Sequence, residues 1–162
     1  MQNATELTIL ERELITKRVF NAPRELVFEA WTNSDHLRHW WGPQGFTLTV
    51  ETFDFRPGGV WRYLMHGPDG TDFDNKITYH EIVRPERLVY SHGDDLDDEQ
   101  FRVTVTFAEL GGKTEVTMRS VFNAPEELQF VIREFHADEG AKSTFERLAK
   151  HLDGLQPQSG NQ

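Results

Sequence analysis

The sequence predicts an α+β fold in which a curved antiparallel sheet of about seven strands wraps around a long C-terminal helix. Apolar residues recur with a period of two through most of the segment 46–122, which is typical of strands with one buried face. Two short segments with helical spacing precede this region, and a long amphipathic segment follows it. The last segment alone carries enough apolar surface to cover the sheet, so we expect it to lie across the concave face.

The chain starts with one predicted strand and two predicted short helices. The segment 7–20 mixes β-branched and charged residues in a broken alternation, which predicts a strand with a bulge or a frayed beginning. Asn21 and Pro23 are typical of a helix start, and apolar residues at helical spacing follow them. A second helix, capped by Asn33, Ser34 or Asp35, then leads to a pair of tryptophans.

Six further strands are predicted between Phe46 and Phe122. The turn signals "RPGG", "GPDGTD", "RPE" and "LGGK" separate runs of alternating apolar and polar residues. In "FRVTVTF" the apolar residues Phe101, Val103 and Phe107 share one face, and arginine and threonine occupy the other. One face of the sheet is therefore expected to contact solvent.

One long amphipathic helix is predicted after Asn123, because Pro125 opens it and no proline interrupts it. Gly140 lies inside this helix and costs about 1 kcal/mol relative to alanine, so it marks a kink or a close approach to the sheet. The residues after it contain too little apolar surface to order themselves. We therefore expect a single domain over residues 1–154 and a disordered tail over residues 155–162.

The motif "WWGPQG" places Trp40 and Trp41 side by side, immediately before Gly42 and Pro43. Adjacent residues share neither a helix face nor a strand face, so regular structure cannot direct both indoles into one core. The glycine and the proline predict a helix end that turns into a strand. We expect one indole to pack beneath the short helices and the other to line the end of a cavity.

Composition and charge exclude several classes of function. The chain of 162 residues has a formal charge of −10, which argues against nucleic-acid binding. It contains no cysteine, and no apolar run approaches the roughly 18 residues that span a bilayer. The first residues lack a basic segment followed by an apolar one, so a cytoplasmic location is the default expectation.

The candidate polar sites do not form a convincing catalytic or metal-binding set. His36 and His39 are closely spaced, but no third ligand stands beside them, so we expect no metal site. No serine lies in a nucleophile-elbow setting and no glycine-rich loop follows a strand, so we expect neither a cofactor nor covalent catalysis. Arg62 and Glu81 fit either a buried ion pair, a substrate anchor or charges on the solvent-facing side of the sheet. His92 shares strand parity with the inward Tyr90, although a surface position at a strand end is the commoner arrangement.

Several motifs carry a family resemblance. The segments "FNAPRELVFEAWTNSDHLRHWWGPQGF", "RPGGVWRYLMHGPDGTD", "YHEIVRPERLVY" and "EGAKSTFERLAKHL" resemble the activator-of-heat-shock-protein-90-ATPase homologue family, within the START-like or SRPBCC helix-grip superfamily. The resemblance covers Leu14 to Leu152 and implies a helix-grip fold with an apolar pocket between the sheet and the last helix. Many relatives have a tryptophan where this chain has Ala141, which implies a larger or reshaped cavity.

The inward aromatic and apolar side chains are expected to line that cavity. The predicted lining residues are Trp40, Trp41, Trp61, Tyr63, Met65, Tyr79, Tyr90, His92, Phe101, Val103, Phe107, Met118, Phe135 and Ala141.

Three functions fit these observations. The first is a non-catalytic cytoplasmic protein that binds a small hydrophobic or amphipathic molecule. The second is a polyketide cyclase-like or hydratase-like enzyme in which His92, Tyr79 or Tyr90 moves a proton. The third is an interaction module for a chaperone or a regulator, which only the resemblance suggests. Both a monomer and a homodimer are compatible with the sequence.

Overall fold

A computed structural model describes residues 4–155 as one eight-stranded antiparallel sheet and four helices. The strands are β1 (Glu6–Leu10), β2 (Glu13–Phe20), β3 (Thr47–Phe53), β4 (Val60–His66), β5 (Asp72–Val83), β6 (Arg87–Gly93), β7 (Phe101–Leu110) and β8 (Lys113–Phe122). The helices are α1 (Arg24–Thr32), α2 (Ser34–Trp40), α3 (Pro125–Phe135) and α4 (Ala137–Leu155). This architecture is the predicted α+β helix-grip fold.

The order of the strands across the sheet is β1-β2-β8-β7-β6-β5-β4-β3. Strands β3 to β8 form a meander in which each strand pairs with its successor in the chain. Helices α1 and α2 connect β2, near one edge, to β3 at the opposite edge. The two short helices therefore cross one end of the concave face, as the sequence predicted.

The sheet has eight strands because the first predicted strand is a hairpin. Strand β1 pairs with β2 from Glu6 opposite Lys17 to Leu10 opposite Glu13. Glu11 makes the turn in a left-handed conformation, with φ of 54°. Tight hairpin turns that need positive φ normally use Asn or Gly, so this turn has no recognisable signal in the sequence.

The predicted long C-terminal helix is divided into α3 and α4. His136 separates them in a left-handed conformation with φ of 53°, and its N–H donates to the carbonyl of Ile132 at 3.0 Å. The break falls at His136, four residues before Gly140, which lies inside α4. We expected Gly140 to mark a kink or a close approach to the sheet; its close approach is to a loop instead, since a Cβ atom at Gly140 would lie 3.4 Å from Cγ of Pro43.

The C-terminal boundary differs slightly from the prediction. Helix α4 includes Leu155, which we expected to begin the disordered tail. The rest of that predicted tail, residues 156–162, lies outside the described residues. Among residues 4–155, no helix is both long and apolar enough to cross a membrane.

The hydrophobic core lies between the concave face of the sheet and α1, α2 and α4. Phe145 of α4 is fully buried, and its ring contacts Phe20 at 5.7 Å and Trp31 at 6.1 Å between centroids. A second, smaller cluster lies beneath α3 and contains Leu14, Phe122 and Leu128. The main core contains most of the aromatic side chains that the sequence predicted at a ligand site.

Candidate functional site

Four aromatic residues from three adjacent strands meet on the concave face. Trp61 and Tyr63 of β4 lie next to Tyr79 of β5 and Tyr90 of β6, and each is 3% exposed or less. They share this face because side chains alternate along a strand and Tyr79 pairs directly with Tyr90. Trp61 stacks on Tyr63 at 4.3 Å between ring centroids. The sheet thus presents a broad aromatic surface to the interior.

The paired tryptophans have different environments. Trp40 ends α2 with no exposed surface, and its Nε1–H donates to the carbonyl of Ala30 at 3.0 Å. Trp41 is partly buried, and its Nε1–H donates to the hydroxyl of Tyr63 at 2.8 Å. Gly42 follows with φ of 98°, which only glycine adopts readily, and turns the chain away from the helix. Trp40 therefore packs under the short helices, and a cavity-lining role for Trp41 stays a prediction.

A hydrogen-bond chain runs from Trp41 through Tyr63 to His92. The indole N–H can only donate, so the Tyr63 oxygen accepts from Trp41, and the same oxygen lies 3.3 Å from Nε2 of His92. If Tyr63 donates its hydrogen to Nε2, the neutral ring of His92 carries its proton on Nδ1. Within residues 4–155, the buried Nδ1 has no hydrogen-bond partner.

The expected surface position of His92 is wrong. Its ring is partly buried and stacks on Phe101 at 4.8 Å, and burial lowers the pKa of His92 to about 4. Burial also raises the pKa of Tyr63, Tyr79 and Tyr90 above the ordinary value for tyrosine. At neutral pH, all four groups are therefore uncharged.

Several other buried donors face the interior without a partner in the described part of the chain. Trp31 Nε1 and Trp61 Nε1 belong to residues that are 2% exposed or less. On β2, Thr16 Oγ1 and Arg18 Nε alternate with outward residues, so they lie on the same face as the buried Phe20. These four atoms and Nδ1 of His92 make a set of five buried atoms, each of which can donate a hydrogen bond. We call them the inward donors.

Most of the remaining predicted lining residues lie in or against the main core, and two do not. Those in or against the main core are Met65, Phe101, Val103, Phe107 and Met118. The placement of Phe135 at the cavity is wrong, because it is 60% exposed at the end of α3 and contacts the exposed Phe130. Helix α3 ends directly after Phe135, at the left-handed His136, and the Phe135 ring lies outside the core. Ala141 packs against the smaller cluster beneath α3.

The two candidate charged anchors lie on the solvent-facing side of the sheet. Arg62 donates to Asp95 at 2.7 Å, and Arg87 donates to Glu81 at 2.5 Å. All four side chains are at least one third exposed. These residues form surface ion pairs, which contribute little to stability.

Arg147 was not predicted, yet it organises the loop that contains the tryptophan motif. Its Nη1 donates to the carbonyls of Gly42 at 2.9 Å, Pro43 at 3.1 Å and Phe46 at 3.2 Å. Nη2 donates to the carbonyl of His39 at 3.2 Å. One guanidinium on α4 therefore fixes residues 41–46, which we call the 41–46 loop.

A weak signal for this contact exists in the sequence. Gly140, Ser143 and Arg147 are three and four residues apart, so they share one face of α4. Ser143 Oγ accepts from the N–H of Gln44 at 2.8 Å, next to the approach of Gly140 to Pro43. A small residue, a hydroxyl and a guanidinium on one helix face are typical of a docked loop, but they do not indicate which loop.

Two histidines of α2 and one of α4 form a cluster without metal-binding geometry. His36 Nδ1 lies 2.9 Å from His151 Nε2, and the ring of His39 stacks on His151 at 5.6 Å. Burial, followed by the charges of His36 and His39, lowers the pKa of His151 to about 4. Among residues 4–155, no group of three His, Cys, Asp or Glu side chains is arranged to hold a metal ion.

Comparison with known families identifies the chain. The sequence model of the family described as activator of Hsp90 ATPase homolog 1-like protein (AHSA1) matches residues 21–153. The chain belongs to this family. Its match begins just before α1 and ends in α4, so it includes the 41–46 loop and every strand from β3 to β8.

Solved structures share the fold of this chain. A solution structure of a protein from Arthrobacter aurescens has 25% identity and a TM-score of 0.83, with 92% of this chain and 91% of that chain covered. A crystal structure of a protein from Mycobacterium smegmatis has 25% identity and a TM-score of 0.83, with 96% and 100% covered. The AHSA1 protein from Silicibacter pomeroyi shares the fold at 20% identity and a TM-score of 0.73, with 89% and 99% covered. The comparison with curated protein sequences gave no match.

Proposed function

We propose that this AHSA1-family protein binds a small, mainly apolar molecule between the sheet and α4, and that the ligand presents an oxygen acceptor to the inward donors. The observation that carries the proposal is the chemistry of the interior. Aromatic side chains make up much of the core between the sheet and the helices, and the inward donors lack acceptors in the described chain. The family's helix-grip fold agrees with a ligand between sheet and helix.

The donors define the class of ligand. A buried donor without a partner costs about 1–3 kcal/mol, so an acceptor that reaches it stabilises the complex. A ketone or an ester presents an acceptor and no donor, whereas an alcohol or an amine would bring a hydrogen that the site does not need. We propose that Nδ1 of His92 carries the hydrogen that meets the ligand, with Tyr63 donating to Nε2 of the same ring. We therefore propose an apolar carbonyl compound as the ligand class.

A cyclase-like or hydratase-like reaction is a second candidate function. Tyr79, Tyr90 and His92 all face inward, which this function requires. The pKa directions oppose it, however. A tyrosine with a raised pKa is a weak acid, and Nε2 of His92 already lies within hydrogen-bond distance of the Tyr63 hydroxyl, at 3.3 Å. Binding without proton transfer fits these groups better.

A chaperone or a regulator as partner is a third candidate, which only the family description supports. The cytoplasmic location and the choice between monomer and homodimer stay predictions from the sequence. None of these three statements affects the proposed ligand class.

The decisive experiment compares two ligands of nearly equal shape. Benzophenone has a carbonyl group where diphenylmethane has a methylene group. The difference between their binding free energies, measured by isothermal titration calorimetry, therefore gives the contribution of the carbonyl acceptor. We expect benzophenone to bind about fivefold to tenfold more tightly, since one net hydrogen bond contributes about 1 kcal/mol. His92→Phe should remove this preference. His80→Phe is the matched control, because His80 is exposed on the opposite face of the sheet.

Two outcomes would contradict the proposal at different levels. If neither compound binds and native mass spectrometry of the purified protein finds no small molecule, the ligand-binding function is wrong. If both bind with equal affinity, the interior binds ligands but the inward donors do not select them.

A further inference from the structure

A second pocket lies outside the core, where α2, the 41–46 loop and the last turns of α4 meet. It is an open pocket of about 490 Å³. The described lining residues are His39, Gln44, Arg147, Lys150, His151, Gly154 and Leu155. The inward donors do not line it, so it is a site separate from the one proposed above.

The pocket differs in charge from the rest of the protein. The chain has 27 acidic and 17 basic residues, for a net charge of −10. The described wall nevertheless contains no carboxylate, and Arg147 and Lys150 supply its positive charge, since His151 with its pKa lowered to about 4 is uncharged at neutral pH. Lys150 is exposed, and its ammonium group adds a mobile positive charge at the rim. Such a local excess of positive charge attracts anions despite the overall charge.

Arg147 supplies the fixed part of this charge. Its described hydrogen bonds all go to main-chain carbonyls of His39 and the 41–46 loop. None of these bonds therefore pairs the guanidinium with a carboxylate. Those bonds use Nη1 and Nη2, and none of the described bonds uses Nε. In a guanidinium the Nε–H and one Nη2–H point the same way, so this edge of Arg147 can match two oxygens of a carboxylate or a phosphate.

The loop carbonyls also orient the guanidinium. Four carbonyls around Nη1 and one at Nη2 restrict the orientation of its plane. A guanidinium whose orientation is already restricted loses little conformational entropy when it binds an anion, so the binding is tighter. The stacked rings of His39 and His151 complete the adjacent wall.

We propose that this pocket binds the phosphate or carboxylate group of a small molecule, with Arg147 as the bidentate contact and Lys150 as the second cation. The proposal stands on the pocket geometry and does not depend on the interior ligand site. The oxyanion belongs to a water-soluble molecule, because the pocket wall is made of polar side chains apart from Leu155.

The test uses the full chain and inorganic phosphate as the probe. The imidazole C–H signals of His39 and His151 are followed by NMR during titration at constant pH and ionic strength, with chloride as the reference anion. We expect saturable shifts at these two histidines with phosphate and none with chloride. Lys150→Ala should weaken phosphate binding about threefold to fivefold, the range expected for a partly exposed charge contact.

Lys142→Ala is the matched control, since Lys142 is an exposed lysine on the same helix and does not line the pocket. Equal weakening by both lysine variants would show a general charge effect and overturn the proposal. Shifts of the same size with chloride and phosphate would overturn it too. Vesicles that contain phosphatidic acid form a second arm, and binding to them without a response to free phosphate would contradict a soluble ligand.

Discussion

Removal of the Trp40 indole should destabilise the protein far more than removal of its neighbour. Trp40 has no exposed surface and contacts Trp31 at 4.9 Å between ring centroids. Truncation of a buried tryptophan to alanine costs about 3–5 kcal/mol through lost contacts and a residual cavity. The last four carbonyls of a helix have no donor inside the helix, and the Ala30 carbonyl is one of these in α1. The Trp40 indole supplies the missing donor. We therefore expect Trp40→Ala to lie at the upper end of this range.

The phenylalanine variants separate packing from hydrogen bonding. Trp40→Phe keeps a large ring but leaves the buried Ala30 carbonyl without its donor, so it should cost about 1–3 kcal/mol. Trp41→Phe should cost about 1 kcal/mol or less, because Trp41 is partly buried and the Tyr63 hydroxyl keeps its contact with His92. The difference between the two variants measures the capping role of Trp40.

Urea denaturation followed by far-UV circular dichroism measures both free energies without reliance on tryptophan fluorescence. The slope with urea should stay unchanged if only the native contacts are affected. Equal losses for Trp40→Ala and Trp41→Ala would refute the assignment of different roles. An unchanged affinity of Trp41→Ala for every interior ligand would refute the cavity-lining role of Trp41.

Three further predictions follow from contacts described above. The contribution of His92 to stability should fall by about 2–3 kcal/mol between pH 6.5 and 4, because a histidine in the unfolded chain is protonated below about pH 6.5, whereas burial keeps His92 neutral in the folded protein until about pH 4. The partly buried His151, whose pKa is also lowered to about 4, adds to the loss, so His92→Phe should reduce it without abolishing it in urea titrations at each pH. Arg147→Met should lower the free energy of unfolding by about 2–3 kcal/mol and speed proteolysis of the loop it holds, as measured by urea denaturation and mass spectrometry of the fragments. Gly59→Ala should lower the melting temperature, since its Cβ would overlap the Asp54 carbonyl oxygen, whereas Gly154→Ala, with open space in α4, should raise it slightly.

The sequence predicted the fold because most elements carry their own local signals. Turn motifs such as "RPGG" and "LGGK" separate the strands, and Asn33 caps α2 with its side-chain oxygen at 2.9 Å from the Asp35 N–H. Two breaks have no such signal. Glu11 and His136 adopt left-handed conformations that glycine or asparagine would normally mark. One strand and one helix were therefore each predicted where the chain forms two.

The candidate site was predicted only in part, because alternation assigns a face but not an environment. Strand parity placed Trp61 and Tyr63 on one face of their strand, and both are buried in the core. Parity could not show that Phe101 covers His92, since that contact joins two strands across a hairpin of the meander. The five carbonyl contacts of Arg147 were equally invisible, because they connect positions about 100 residues apart. Long-range contacts of this kind leave little trace in one sequence.

The 41–46 loop connects the two proposed sites. On its inner side, Trp41 donates to Tyr63 and so to the chain that orients His92. On its outer side, the loop carbonyls hold Arg147 at the wall of the second pocket. A shift of this loop would therefore change the indole contact and the guanidinium contact together, since both depend on the same short segment between Gly42 and the start of β3. Two requirements thus explain why the tryptophan pair stands before glycine and proline. Trp40 anchors the core, and the turn that follows is fixed because Trp41 contacts Tyr63 on one side and Gly42 contacts Arg147 on the other.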